Sequence, residues 1–187
     1  MALRPQLENL LKSAKVLRAS ADWQLKALRP DQMAWKPTAD RWSVAQTLDH
    51  LNKSAALILP KFEDALRAGM AADHEREETI RPGFLDRVYM KMVSVNPPFK
   101  VSVPPMLVPD ESPDPSTVTR EFFRLHDELE TLVVRADDFR LREINVPSIV
   151  SPRFKPGFLA YLEGLVTHEQ YHWNQAEAIM AEPGFPK

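Results

Sequence analysis

Leu7, Leu10, Leu11, Ala14, Leu17, Ala21 and Leu25 recur at steps of one, three and four, the period at which one face of an α-helix returns. The spacing predicts a first helix over about Pro5 to Ala27. Val44, Leu48, Leu51, Ala55, Ile58 and Phe62 step by four and three in the same way. They predict a long second helix from Ser43 toward Gly69, where a glycine suits a C-terminal stop. Ser43 with Gln46 three residues on has the form of a capping box, in which each side chain satisfies a backbone N–H of the first turn. Pro60 falls inside this run and is a candidate kink. Phe122, Leu125, Leu129, Leu132 and Val133 mark a third helix over about Pro115 to Ala136, with Asp114 and Pro115 as cap and first residue. Phe158, Leu162, Leu165, Ala176 and Ile179 mark a fourth from near Pro156 to about Ala181, ahead of Pro183 and Gly184.

Between these runs the pattern weakens. Arg29 to Arg41 contains Pro30 and Pro37 and is expected to be a connection, with Trp35 and Trp42 as packing anchors. The stretch between Met70 and Pro115 opens on acidic DHEREE. A short amphipathic piece, PGFLDRVYMKMVSV, follows and predicts a helix begun by Pro82. Seven prolines then fall between 97 and 115, which excludes helix and predicts a stiff extended loop. Its Phe99, Val101, Val103, Met106, Leu107 and Val108 favour packing on the domain. Phe139 to Val150 alternates weakly and is expected to be extended. The expectation is an all-α four-helix bundle, one domain over 1–187, with an insertion-like connection at about 70–115 as a long Pro-rich crossover between helices two and three.

Composition changes this picture little but excludes much. At 187 residues, 44% hydrophobic and 27% charged, the chain matches ordinary globular domains rather than disordered ones. A net charge of −2 offers no basic face for nucleic acid or an anionic membrane. No apolar run reaches the ~18 residues of a membrane span, and the N-terminus lacks the apolar core of a signal peptide. A cytoplasmic location is therefore expected. The absence of cysteine excludes disulfides, Cys-ligated zinc and a protein thiol nucleophile.

Candidate chemistry sits in the fourth helix, in His168-Glu169-Gln170-Tyr171-His172. Histidines four residues apart stand one above the other and can reach a common ion. Here they occupy the inward positions between Leu165 and Ala176. Two buried imidazoles held by hydrogen bonds are the alternative, but burying them side by side costs a few kcal/mol unless something satisfies them. The segment also matches the zinc-protease pattern H-E-x-x-H. The extended form of that pattern needs Gly and His where this chain has Gln175 and Ala178. A third ligand must then come from upstream. His50, beside Leu51 on the second helix, ranks first and His126, between Phe122 and Leu129, second. His74 lies in a charged stretch and is expected to be solvated. Asp49 is either a carboxylate ligand or surface.

Two blocks, RWSVAQTLDHL at 41–51 and HEQYHWNQAEAI at 168–179, resemble the DinB/YfiT-like superfamily of metalloenzymes. The first is similar to that family's Trp-Ser start to helix two, with a metal-binding His near its second turn. The second is similar to its H-x-x-x-H-x-x-Q close to the C-terminus. Carried over residue by residue, the resemblance implies a three-histidine site at His50, His168 and His172. Gln175 falls on a family position for which the sequence offers no role. The resemblance also implies a four-helix bundle, one divalent ion (Zn or Ni) and a homodimer. Family members include S-transferases and isomerases that use an external low-molecular-weight thiol.

Three neutral imidazoles would leave the ion its full charge and an open position, the pattern of catalytic rather than structural sites; water bound to zinc in such a site has a pKa near ~7. Glu169 is a candidate general base or orienting partner, although it points about a quarter-turn from His168. Tyr171 and Trp173 are expected to pack. Two functional classes follow: a metal-dependent transferase or hydrolase acting on a small molecule, or a non-catalytic, metal-stabilised bundle serving as a stress-linked binding or dimerisation module.

Overall fold

The computed structural model describes residues 3–70, 79–93 and 103–187. Among them there are six α-helices and no strand: α1 (Pro5–Leu25), α2 (Pro30–Ala34), α3 (Val44–Ala68), α4 (Phe84–Met92), α5 (Pro115–Ala136) and α6 (Phe158–Met180). Two 3-10 turns, Pro105–Leu107 and Leu141–Glu143, complete the set. The acidic stretch with His74, and the loop residues Phe99 and Val101, lie outside the described residues.

The four long helices start where their caps and prolines require. Ser43 Oγ accepts from the Gln46 N–H at 3.1 Å, and Gln46 Oε1 accepts from the Ser43 N–H at 3.2 Å, so the capping box is formed. Asp114 caps α5 through the Thr117 N–H at 2.8 Å. α3 continues through Pro60 without a break. The short helix expected from Pro82 begins two residues later, with Gly83 as its N-cap.

Their apolar faces meet in pairs. α3 packs against α5 and α6, and α1 packs against the same two helices. The residues between them divide into two clusters. The larger one gathers Leu7, Phe62, Leu66, Leu129, Leu132, Phe158, Tyr161 and Leu162. The smaller one gathers Leu17, Ala21, Leu48, Leu51, Phe122, Trp173 and Ala176. The histidine pair of α6 falls between Leu165 of the first cluster and Ala176 of the second. α4 lies on α6, and Gly164 makes the approach possible. A Cβ there would stand 2.6 Å from Cζ of Tyr89, closer than a side chain tolerates.

Two expectations need correction. Pro30–Ala34 forms a helical turn, started by a proline whose missing N–H costs nothing at that position. Within the Pro-rich stretch, Pro105–Leu107 closes a 3-10 turn rather than running extended. Phe139 to Val150 opens on the 3-10 turn Leu141–Glu143 and then runs extended as expected: the Val146 and Ser148 N–H groups donate to the Pro156 and Phe154 carbonyls, the Ile144 carbonyl accepts from the Phe158 N–H, and Asn145 bridges Gly157. The alternation there buries Ile144, Val146 and Ser148 on one side of the extended piece.

Candidate metal centre

His50 lies near the start of α3, where Ser43 fixes the first turn, and its ring is buried. His168 and His172 are one turn apart on α6. Because α3 and α6 pack on each other, the three side chains converge. One nitrogen from each lies within 4.8 Å of the other two. His50 Nε2 and His168 Nε2 are 3.3 Å apart. Two nitrogens on a tetrahedral zinc with ~2.05 Å bonds stand roughly 3.3 Å apart, so this pair is compatible with a shared divalent ion.

Hydrogen bonds fix the ring states. His50 Nδ1 is 2.7 Å from the Leu107 carbonyl. A carbonyl only accepts, so Nδ1 carries the proton and Nε2 presents its lone pair. His172 Nδ1 is 2.8 Å from Gln175 Oε1 and, with the amide oxygen so placed, donates to it in the same way. Both rings therefore direct an unprotonated Nε2 away from these partners. Outer partners of this kind are what orient histidine ligands in metal sites.

The electrostatics agree. Burial lowers the His50 pKa, with the Leu107 carbonyl partly opposing it. Burial, then the neighbouring His50, pushes His172 down to about 4. Burial and the two other imidazoles hold His168 well below the usual histidine range. All three rings are neutral at pH 7, the form that binds a cation.

Aromatic rings border the cluster. Trp42 lies 4.9 Å from His50 and 6.0 Å from His172, centroid to centroid. Tyr171 meets His172 edge-on at 5.0 Å. His168 is the most exposed of the three histidines. Trp42 thus packs, as expected, but onto the histidines themselves.

The other candidates go elsewhere. His126 is buried in α5, where Nε2 donates to the Ala14 carbonyl at 3.0 Å. Its Nδ1 faces Glu169 Oε2 at 3.8 Å, and neither atom has a hydrogen-bond partner among the described residues. Glu169 is itself buried, which pushes its pKa up to about 8. The structure pairs this carboxyl with His126, about a quarter-turn round α6 from His168. Asp49 accepts from the Asp110 N–H at 2.7 Å and pairs with Lys53 at 3.0 Å. Sequence reasoning singled out the three histidines that the structure brings together, but not the partners that aim two of them. Gln175, three residues after His172, was within reach of that reasoning through its helical spacing. The Leu107 carbonyl left no sequence signal at all.

No curated protein and no solved structure matches the chain. The family model described as the DinB superfamily matches residues 15–176, a span that contains all three histidines and Gln175. This chain belongs to the DinB superfamily.

Proposed function

We propose that the chain is a single-domain four-helix bundle of α1, α3, α5 and α6 that binds one divalent ion, zinc or nickel, through His50, His168 and His172. In this reading it is a cytoplasmic homodimeric enzyme acting on a small molecule, by thiol-dependent S-transfer or by hydrolysis. The carrying observation is the 3.3 Å approach of two Nε2 atoms on imidazoles that are neutral at pH 7. Without an ion, one of these nitrogens must donate to the other; with one, both lone pairs are satisfied.

The bound ion would act as a Lewis acid with an open position for a small molecule. The chain's own residues do the rest. Leu107 and Gln175 hold the Nδ1 protons of His50 and His172. Trp42 covers the two rings, excludes water beside them and offers a flat apolar wall. With no cysteine in the chain, a thiol co-substrate would come from outside. The net charge of −2 supports a small-molecule partner rather than nucleic acid.

Metal content by mass spectrometry tests the reading, with the untagged wild type beside His50→Ala, His172→Ala and His126→Ala. About one metal per chain is expected in the wild type and in His126→Ala, and loss in the other two. A wild type that takes up neither zinc nor nickel sinks it.

A further inference from the structure

Four residues on one face of α3, at positions i, i+3, i+4 and i+7, reach a single short segment that runs from Leu107 to Glu111. Gln46 Nε2 donates to the carbonyls of Asp110 and Glu111 at 3.0 and 3.1 Å. Asp49 Oδ2 accepts from the Asp110 N–H at 2.7 Å. Lys53 Nζ donates to the Val108 carbonyl at 3.0 Å and to Asp110 Oδ1 at 2.6 Å. The fourth residue is His50, whose Nδ1 meets Leu107 O. Leu107 is buried, which anchors the same segment from its other side.

Pro104, Pro105 and Pro109 restrict the conformations open to this segment before it docks, so little entropy is lost on docking. They also remove backbone N–H groups, and the segment meets α3 mainly through its carbonyls. A surface loop needs none of this to be tolerated. Three polar residues around one histidine are arranged to hold one carbonyl oxygen in place.

We propose that residues 104–111 form a strap that sets metal affinity by holding His50 in its Nδ1–H form, and that Lys53 is the positioning residue that pins the strap. An imidazole released from Leu107 can carry its proton on either nitrogen. The fraction with the proton on Nε2 is unable to bind an ion, so affinity falls by that fraction and by the loss of ring orientation. The reasoning runs in both directions: an ion on Nε2 must equally favour the docked strap. The effect on affinity rests on the metal reading above; the effect on the His50 ring does not.

Lys53→Met in the full chain tests this, since it keeps the side-chain stem and removes every donor. Coulomb's law alone predicts tighter binding once a cation one turn from His50 is gone; the strap predicts weaker binding. The metal-free protein is examined by 15N-imidazole NMR for the His50 tautomer, and zinc affinity is measured by chelator competition. The wild type should show His50 protonated on Nδ1 alone. Lys53→Met should show both tautomers and lose zinc affinity by roughly tenfold, and Lys53→Arg should recover most of both. A variant with His50 still wholly Nδ1–H and zinc affinity unchanged or higher overturns the proposal. If the wild type binds neither zinc nor nickel, the metal reading fails and the tautomer alone decides for or against the strap. If Lys53→Met does not fold, Asp110→Ala removes only the exposed carboxylate of the clamp and is judged by the same two measurements.

Discussion

Gln175 Oε1 accepts the Nδ1 proton of His172 at 2.8 Å from a position one turn further along α6. Gln175 is solvent-exposed, so its replacement disturbs no packing. Gln175→Ala is expected to lower zinc affinity by about tenfold, the lower end of what outer partners contribute, with the unfolding midpoint of the metal-free protein unchanged. Gln175→Glu should tighten binding, because a carboxylate makes the ring more basic. Chelator competition on the three proteins checks both directions; equal affinities would remove Gln175 from the site.

The metal-free protein should lose stability on both sides of neutrality, for opposite reasons. Burial lowers the pKa of His50, His126, His168 and His172. The unfolded chain therefore takes up protons near the ordinary ~6.5 while the folded one does not, and stability falls as pH drops from there. His172, pushed down to about 4, alone accounts for something on the order of 3 kcal/mol at the acid end. Glu169 has the opposite sign. Its folded pKa of about 8 exceeds the unfolded ~4.3, so its contribution is complete at low pH and lost as pH rises through about 8. Urea titrations between pH 4 and 9 should show both limbs, and Glu169→Gln should abolish only the alkaline one. An alkaline limb that survives in Glu169→Gln would assign it to another group.

The extent to which the chain's pattern carried this architecture differs by element. α5 matched its expected bounds of Pro115 and Ala136, and α1, α3 and α6 matched theirs to within about two residues, because long amphipathic stripes with caps leave few alternatives. The α6 histidines were legible for the same reason: they interrupt a stripe at i and i+4. His50 ranked ahead of His126 by its place beside Leu51, and the resemblance then favoured it, although both lie on or beside an apolar face. Packing separates them, sending His126 to the Ala14 carbonyl and His50 to α6. The shortest elements escaped. The five residues of α2 and the turn at Pro105–Leu107 are too brief to show a period, and tertiary contacts decide their form.

Gly164 gives a test of how α4 is held. Alanine there gains about 1 kcal/mol of helix propensity, but its Cβ would meet the buried ring of Tyr89. Gly164→Ala is expected to be destabilising by roughly 1–3 kcal/mol, as overpacking in a tight core is. Tyr89→Ala in the same background should relieve the clash, so the double mutant should cost less than the sum of the singles. Additive losses in a double-mutant cycle would show that α4 does not press on α6 at this point.

Pro60 is exposed in the middle of α3 and can give no N–H to the Ala56 carbonyl. Pro60→Ala should restore that bond and raise stability by about 1–3 kcal/mol, measured as a higher urea midpoint with an unchanged slope. A loss of stability would mean that α3 needs the local bend a proline imposes.

The two oriented histidines differ in how they can be lost. His172 depends on a side chain, so one codon change at position 175 deletes its partner. His50 depends on a main-chain oxygen, which every amino acid at position 107 supplies. Substitution at the contact itself is therefore nearly silent so long as the backbone keeps its path. The vulnerable positions lie at a distance from the ring, in Gln46, Asp49, Lys53 and the prolines that give the segment its course. Genetic variation that weakens this site through His50 should accumulate around Leu107 rather than at it.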